Sequence, residues 1–466
     1  MNWFTSVELQ YPSGTNWDSK PYPWFWQHDN DKWIDIFSKY FIGFECLKVS
    51  SVDELKSKWD EIGDDKYKIL QFQLHNFDGE WLKKDVFKII KNIHSSNLNY
   101  NKILYIIDVR QESSMDWYVV HDFLIKIKKE TSLTDNNFLF VDSNVGDIKV
   151  DKNINYYCFP GWAIKIYFYT KLLNDNKSLE CIFNYSFRYQ RKNKFTYMNY
   201  MPHYHKVYIL WKIYKSNLLK DGMVSFPKFL TFDFWDESDA HGTSTDSLHP
   251  SLPLSKNIPA WEFFDQSMLK ELYEQLPLLI DTSDDFRDVR KVDDYNHNSD
   301  LYTPYLISQI IIGINPLISL DTYVDLCGET RYSGAHVILT EKSFKPFIGM
   351  NFPIFFSQPG VTDYFKRAGF FVFDNIIDIS YDIDYDDTED KFVSTLDHKY
   401  LDRVFDSFKN FVSLPIGDIH SLFVKNKEKL IYNHNYFYND YVPNLLRGYL
   451  YSIEKIITGD KNDIQN

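Results

Sequence analysis

The sequence predicts an α/β fold built from two domains. At 466 residues the chain is longer than one hydrophobic core usually supports, so two domains of roughly 150–250 residues each are expected. Short apolar runs alternate with segments of helical spacing along most of the chain, which is typical of mainly parallel sheets covered by helices. No repeat of fixed period is visible, which disfavours solenoids and propellers.

The first third of the chain contains a predicted strand–helix–strand unit. KILQFQL (68–74) and KILYIIDV (102–109) are apolar runs of the length that buried strands have. Between them, WLKKDVFKIIKNIH (81–94) places its apolar residues at helical spacing. Two strands joined by a helix form a βαβ unit, so these strands are expected to be parallel.

The same alternation continues and predicts an open sheet in the first half of the chain. A helix is expected over 115–130, followed by strands over 137–143 and 154–160. Ligands of such sheets lie beyond the carboxyl ends of the strands. The segment DVRQESSMD (108–116), at the end of the second strand, is therefore a candidate functional segment.

The second half predicts another α/β lobe, interrupted by a long loop. A helix is expected over 207–222, with Gly222 as its C-cap, and a Pro-, Ser- and Asp-rich loop over 232–259. Strands resume around 278–281 and 322–327. The boundary between the two lobes is expected near residues 183–194.

A short series of alternating elements follows residue 340. The sequence predicts a helix that begins at Glu341 and contains Pro346, then a buried strand over 352–357. A helix over 362–369, ended by Gly369, and a strand at FFVF (370–373) complete the series.

Composition excludes several classes of function. Lys plus Arg number 51 against 65 Asp plus Glu, and the resulting charge of −14 disfavours nonspecific attraction to nucleic acid or anionic lipid. Four widely spaced cysteines indicate neither a disulfide framework nor a cysteine zinc site. No secretion signal and no apolar run of about 18 residues is visible, so a cytoplasmic protein without membrane insertion is expected.

The residues around Thr340 have the chemistry of a nucleotide-sugar site. Thr340 is a suitable N-cap, and Glu341 in the first turn complements the helix dipole. Free N–H groups at this helix start, together with Lys342, could bind a diphosphate, while Glu341 accepts hydrogen bonds from ribose hydroxyls. The alternative is that Glu341 and Lys342 simply form a solvated helix start.

Two segments of the sequence resemble a known family. GETRYSGAHVILTEKSFKPFIGMNFPIFFSQPG (328–360) is similar to the donor-site signature of the α1,3-fucosyltransferase-like glycosyltransferases. YMNYMPHYHKVYILWKIYKSNLLKDGMVSF (197–226) resembles the segment that precedes this signature in the fucosyltransferase-like proteins of phage and other viral genomes, the nearest resemblance. The similarity extends over residues 194–226 and 324–381, roughly a fifth of the chain.

The resemblance implies a fold, a domain division and an activity. The implied fold has two Rossmann-like lobes facing across a cleft, the GT-B arrangement. Residues 1–190 would form the acceptor-side lobe, residues 191–440 the donor lobe, and residues 441–466 a C-terminal helix and tail. The implied activity is transfer of a sugar from a nucleoside-diphosphate sugar to a glycan or polysaccharide hydroxyl with inversion.

The resemblance also assigns the donor-binding residues. Glu341 would bind the ribose and Lys342 the phosphates, while Glu329 and Thr330 take the places of the family's acidic-Asn pair. Thr330 departs from the family's Asn. The predicted donor site is completed by Thr340, Asn199, His205 and Lys206.

A second departure from the family pattern lies upstream of the signature. Where the family often has an Arg for the diphosphate, this chain offers His203, His205 and Lys206, and Arg331 could compensate. Alternatively, His203 and His205 could be metal ligands, but no Cys or His cluster completes such a site. The acidic segment 378–390 lacks EF-hand spacing, so neither a metal nor another cofactor is expected.

An inverting transfer needs a base from the lobe opposite the phosphate site. Glu112 is the preferred candidate by its position after a strand, and Asp108 is the second. The alternative is that Asp108 caps a turn while Arg110 pairs with Glu112 at the surface. Two other functions stay open, namely transfer to a modified base of viral DNA and a catalytically silent nucleotide- or glycan-binding protein of the same fold.

Overall fold

The fold is described from a computed structural model. The described residues are 4–9, 44–49, 67–73, 82, 86–95, 103–108, 117–145, 153–158, 160–164, 166–167, 187–199, 204–226, 265–276, 278, 316–329, 337–383 and 398–458. The chain divides into two compact units. The first comprises Met1–Pro160 with Leu445–Asn466, and the second is Gly161–Asn444.

The first unit contains a parallel sheet of six strands. The strands are β1 (Phe4–Leu9), β2 (Phe44–Val49), β3 (Tyr67–Gln73), β4 (Ile103–Asp108), β5 (Phe138–Asp142) and β6 (Tyr156–Cys158). Their order is β2-β1-β3-β4-β5-β6, and every neighbouring pair is parallel. Helix α1 (Phe87–His94) lies between β3 and β4 in the chain, and α2 (Trp117–Glu130) lies between β4 and β5. The α/β class and the predicted βαβ unit are confirmed.

The core of this unit explains why its central strands read as continuous apolar runs. Every residue of β4 and β5 is buried, as expected for a parallel sheet covered on both faces. Helix α1 buries Phe87, Ile89, Ile90 and Ile93 against this core and leaves Lys88, Lys91 and Asn92 exposed. Burial of one helix stripe on the sheet stabilises both elements together.

The second unit contains a parallel sheet of four strands. These are β7 (Asn193–Met198), β8 (Gly222–Ser225), β9 (Thr322–Gly328) and β10 (Phe352–Phe356), in the order β10-β9-β7-β8. The chain passes from β7 to β8 on one side and then to β9 and β10 on the other side of β7. The order of the strands therefore reverses between β7 and β9. The carboxyl ends of strands at such a reversal are the usual ligand site of open α/β sheets.

The remaining helices are, in chain order, α3 (Tyr204–Lys215), α4 (Gln266–Glu274), α5 (Pro316–Asp321), α6 (Glu341–Ile348), α7 (Val361–Arg367), α8 (Ser380–Ile383), α9 (His398–Val412), α10 (Ile416–Lys425), α11 (Lys427–Tyr436) and α12 (Val442–Thr458). A five-residue π-helical segment, Phe437–Tyr441, joins α11 to α12. Helix α12 begins in the second unit and continues in the first.

The C-terminal helix belongs mainly to the first unit. The Tyr157 hydroxyl donates to the Leu445 carbonyl at 3.0 Å, and the rings of Tyr157 and Tyr449 lie 5.9 Å apart. The units divide after Pro160 and after Asn444, whereas the sequence analysis placed boundaries at residues 190 and 440. Residues 168–186, between the two positions of the first boundary, lie outside the described residues.

Two sequence predictions in the second unit were wrong. The helix expected over 207–222 ends at Lys215, because Asn217 adopts a left-handed conformation (φ 56°) and Leu218 N–H donates to the Ile213 carbonyl. This pair of features ends a helix as a glycine C-cap would, and Gly222 instead begins β8. The strand expected at 370–373 is absent, because both backbone groups of Phe371 bond to the amide of Asn433.

Arg191, just before β7, is a buried arginine that links β7 to the end of α5, the start of β9 and Asn351. The sequence analysis did not identify it. Arg191 is 1% exposed, and its guanidinium donates to the carbonyls of Ser319 (2.9 Å) and Thr322 and to Asn351 Oδ1 (2.5 Å). The guanidinium carbon lies 4.0 Å from the centre of the Phe423 ring. Burial lowers the pKa of Arg191 to about 9, so the side chain stays charged at neutral pH.

The start of β8 tolerates only glycine. A β-carbon at Gly222 would lie 2.3 Å from the ring of Phe195, which is fully buried and packs edge-on against Phe408. We expect Gly222→Ala to lower the free energy of unfolding by roughly 1–3 kcal/mol, because this ring cannot move aside without repacking the core.

Gly417→Ala is the matched control. Nothing lies within 4 Å of a β-carbon at Gly417, which is exposed in the first turn of α10. Alanine there should leave stability unchanged or raise it by up to about 1 kcal/mol. Urea unfolding of both variants tests the pair, and equal stability of the two would contradict the packing assigned to Gly222.

Candidate functional site

The carboxyl edge of the second sheet brings together the segments that carry the predicted donor residues. β7 is followed by Asn199 and β9 by Glu329. A β-carbon at Gly328 would lie 2.8 Å from Asn199 Oδ1, so the two strand ends are in direct contact. Helices α3 and α6 begin at this edge, because each connects two adjacent parallel strands.

Glu329 is a fully buried carboxylate that caps α6. The Thr340 N–H donates to its Oε1 at 3.2 Å, and the Thr340 hydroxyl donates to its Oε2 at 2.5 Å. The Ser343 N–H donates to Oε1 at 3.1 Å, and the Ser343 hydroxyl donates to the same oxygen. The positive end of the helix dipole and four donors therefore stabilise this buried charge.

The backbone N–H groups at the start of α6 therefore already donate to side chains of the protein, namely those of Glu329 and Thr340. Thr340 is the N-cap residue, as predicted, and its hydroxyl oxygen accepts from the Lys342 N–H at 3.4 Å. The N–H groups of Thr340, Lys342 and Ser343 are thus engaged, whereas the sequence analysis expected free N–H groups for a diphosphate. The buried carboxylate of Asp382 accepts in the same way from the N–H groups of Gly360 and Asp363 at the start of α7. At the starts of α6 and α7, an anion would therefore have to be bound by side chains and not by these N–H groups.

Glu341 and Lys342 pair with each other. The Lys342 ammonium donates to Glu341 Oε1 at 2.5 Å and to Thr340 Oγ1 at 3.2 Å. Burial opposes the charge of Glu341, but Lys342 and Lys345 outweigh it and lower the pKa of Glu341 to about 2. The two side chains keep 12% and 17% of their surface exposed, so a ligand can reach this charged pair.

Lys206 is a buried lysine in the first turn of α3. It is 2% exposed, and in the part of the chain that the structure describes its ammonium forms no ion pair. Burial and the nearby Lys342 lower the pKa of Lys206 to about 7, while Glu329 and Glu341 oppose the shift. An ammonium without an ion pair in this position is suited to bind an anionic group of a ligand by donating hydrogen bonds to it.

His205 and Asn199 have different surroundings, although both are buried. His205 Nε2 lies 2.7 Å from the Glu329 carbonyl oxygen. Because a carbonyl oxygen only accepts, this nitrogen carries a proton and donates, which engages the atom that would otherwise bind a metal. Asn199 is 6% exposed, and its amide lies beside the hydroxyl of Tyr197.

Two charged residues that the sequence analysis missed, Lys345 and Asp325, lie close to Glu341, Lys342 and Lys206. Together these residues form the charged cluster of this edge. Burial lowers the pKa of Lys345, one turn along α6 from Glu341, while Glu341 opposes this shift. Burial also raises the pKa of Asp325, in β9, to about 7, and Lys345 opposes that shift. The sequence spacing could have predicted that both residues lie near the site. Lys345 is four residues after Glu341 on the same helix face, and Asp325 is four residues before Glu329 on the same strand face.

The first unit holds one of the two predicted base candidates among its described residues. Asp108 is the last residue of β4 and is fully buried at the carboxyl edge of the first sheet. Asp142 ends the neighbouring strand β5 and is equally buried. The preferred candidate, Glu112, lies outside the described residues, as do three donor-side residues, Thr330, Arg331 and His203.

Comparisons of the chain with protein-family models, curated proteins and solved structures give no match. Within the described ranges, no group of three or more His, Cys, Asp or Glu residues could hold a metal ion. No helix in the same ranges is long and apolar enough to cross a membrane.

Loss of the Glu329 charge should destabilise the second unit. Glu329→Gln keeps the shape of the side chain but replaces one acceptor oxygen with a donor that faces N–H and O–H groups. We expect the free energy of unfolding in urea to fall by roughly 2–4 kcal/mol.

Glu428→Gln provides the comparison, since Glu428 lies exposed in the first turn of α11. This variant should stay within the ~0.5 kcal/mol typical of surface substitutions. A Glu329→Gln protein as stable as the Glu428→Gln protein would contradict the capping role of Glu329.

Proposed function

We propose that the protein is a glycosyltransferase that moves a sugar from a nucleoside-diphosphate sugar to an acceptor hydroxyl with inversion. The proposal combines the resemblance of residues 197–226 and 328–360 to the fucosyltransferase-like enzymes with the site at the carboxyl edge of the second sheet. The finer architecture, two Rossmann-like lobes in a GT-B arrangement with the acceptor met by the first, is part of the proposal.

One observation carries the proposal. Three lysines, Lys206, Lys342 and Lys345, meet Glu341 at the point where the strand order reverses. Of the other two carboxylates, Glu329 accepts the hydrogen bonds of the start of α6, and Asp325 lies beside Lys345. Lys206 has no ion pair within the described residues, so a cationic group is available there for a ligand anion, although the chain as a whole carries −14. A diphosphate supplies the complementary charge, and ligands of open α/β sheets bind at this place.

The side chains suggest how the donor would be held. Lys342 is partly exposed and already oriented by Glu341 and Thr340, so its ammonium can donate to a phosphate oxygen. Glu341 has a low pKa and is therefore a permanent acceptor for the two hydroxyls of a ribose. Lys206, which forms no ion pair within the described residues, and the buried amide of Asn199 supply further polar groups at this edge.

The chemical step would use the cationic cluster and one carboxylate. A base takes the proton of the acceptor hydroxyl, the oxygen attacks the anomeric carbon, and the bond from that carbon to the diphosphate oxygen breaks. The leaving nucleoside diphosphate takes the electron pair, and the lysines stabilise its developing charge. We assign the base to Glu112 first, which follows β4 in the chain, and to Asp108 second, which is the last residue of β4.

A panel of nucleoside-diphosphate sugars tests donor binding. One of them should raise the melting temperature, because a ligand at 100 times its dissociation constant adds about 2.7 kcal/mol to the folded state. Glu341→Gln should weaken this donor by about tenfold or more, since a charged hydrogen bond to the ribose is lost. Glu274→Gln, a change at an exposed position of α4, is the control and should bind as the unaltered protein does.

The outcome of the panel also separates the alternatives. Stabilisation with slow donor hydrolysis supports a transferase, and stabilisation without any turnover supports a silent binding protein. No response to any donor would reject both. Salt-sensitive retention on duplex DNA would favour a DNA acceptor, because phosphate contacts weaken as salt rises.

The assignment of the base has its own test. Glu112→Gln should leave the donor affinity unchanged and lower the transfer rate by a factor of about 10² to 10⁴, the usual contribution of a general base. Asp108→Asn serves as the comparison variant. If turnover of Glu112→Gln is normal and that of Asp108→Asn is low, the base is Asp108.

A further inference from the structure

The charges around Lys206 are unbalanced. Lys342 and Lys345 of α6 disfavour its charged form, whereas the carboxylates of Glu329 after β9 and Glu341 at the start of α6 favour it. His205 precedes it in α3 and is held by the Glu329 carbonyl. Its side chain also packs beside Gly328, where a β-carbon would lie 3.5 Å from Lys206 Cγ.

Both carboxylates that could neutralise Lys206 are already engaged. Glu329 accepts four hydrogen bonds from Thr340 and Ser343, and Glu341 pairs with Lys342 at 2.5 Å. Within the described residues, Lys206 is thus a buried amine with two cationic neighbours and no ion pair. A protonated amine in this setting is costly until an anion arrives.

We propose that Lys206 binds the anionic group of the ligand by taking up a proton as the ligand arrives. The inference deepens the proposed function, since it rests on the same site, and it names the ligand group as a phosphate-type anion. The family that the sequence resembles often has an arginine in this segment, and arginine is always charged. Lysine at this position makes affinity depend on pH.

The direction of the pH dependence follows from the burial of Lys206. Without ligand its pKa is about 7, because burial and Lys342 disfavour the charged form. Above pH 7 the neutral amine predominates, and each further pH unit reduces the protonated fraction about tenfold. A bound anion raises the pKa, so binding takes up a proton and affinity falls as pH rises.

Inorganic pyrophosphate, without metal, is the probe. Its dissociation constant should increase about 50-fold between pH 7 and pH 9, as the protonated fraction of Lys206 falls from about one half to about one hundredth. Pyrophosphate itself becomes more negative over this range, which would strengthen binding and cannot imitate the effect. Calorimetry at pH 8 in two buffers of different ionisation enthalpy should show nearly one more proton taken up by the unaltered protein than by Lys206→Arg.

Three variants assign the proton to Lys206. Lys206→Arg should bind pyrophosphate with a dissociation constant that changes less than about threefold from pH 7 to pH 9, because arginine stays charged. Lys206→Met should bind at least about tenfold more weakly at pH 7. Lys220→Met removes an exposed lysine after α3 and should behave as the unaltered protein.

The inference and the proposed function can fail separately. Equal proton uptake by the unaltered protein and Lys206→Arg, or an unchanged pH profile in Lys206→Arg, would overturn the inference even if a sugar nucleotide is hydrolysed. Proton-linked binding of pyrophosphate that disappears in Lys206→Arg would support it even if no sugar nucleotide is turned over. Neither calorimetry nor the Lys206→Arg profile depends on the stability of Lys206→Met.

Discussion

The hydrogen bonds to the buried carboxylate of Glu329 are the interaction on which the site depends. They join the end of β9 to the start of α6, so they determine where Glu341, Lys342 and Lys345 lie. A buried charge persists in a protein only when its hydrogen bonds are satisfied, and here four donors and a helix dipole satisfy it. Because Glu329 occupies the helix start, the electrostatic character of the site comes from lysine side chains.

Hydrogen bonding separates structural charges from charges that can serve a ligand. Arg191 and Lys206 are almost equally buried. The guanidinium of Arg191 bonds to two carbonyls and to Asn351, and it packs on Phe423, so its charge holds β7 in place. The ammonium of Lys206 has no comparable ion pair within the described residues. Burial alone therefore does not distinguish a structural charge from a candidate ligand-binding one, and the hydrogen-bond partners have to be compared as well.

Periodicity predicted the elements whose local preferences agree with their surroundings. The expected strands over 68–74, 102–109 and 352–357 match β3, β4 and β10 to within one or two residues, because buried parallel strands are short apolar runs. Strand β7 was missed, because it alternates polar with aromatic residues and only its neighbours in the sheet make it a strand. The strand predicted over 370–373 does not form, although its residues favour a strand. The backbone N–H and carbonyl of Phe371 bond to the side chain of Asn433 and not to a neighbouring strand.

The sequence by itself determined the α/β class and the capped helix start at Thr340, because propensities and capping depend on residues near in the chain. Tertiary structure decided which backbone donors Glu329 occupies and which lysine lacks a counterion. Those contacts join residues more than ten positions apart, such as Glu329 and Thr340, and Lys206 and Lys342. Local sequence holds no information on such distances, because strand order and helix packing set them.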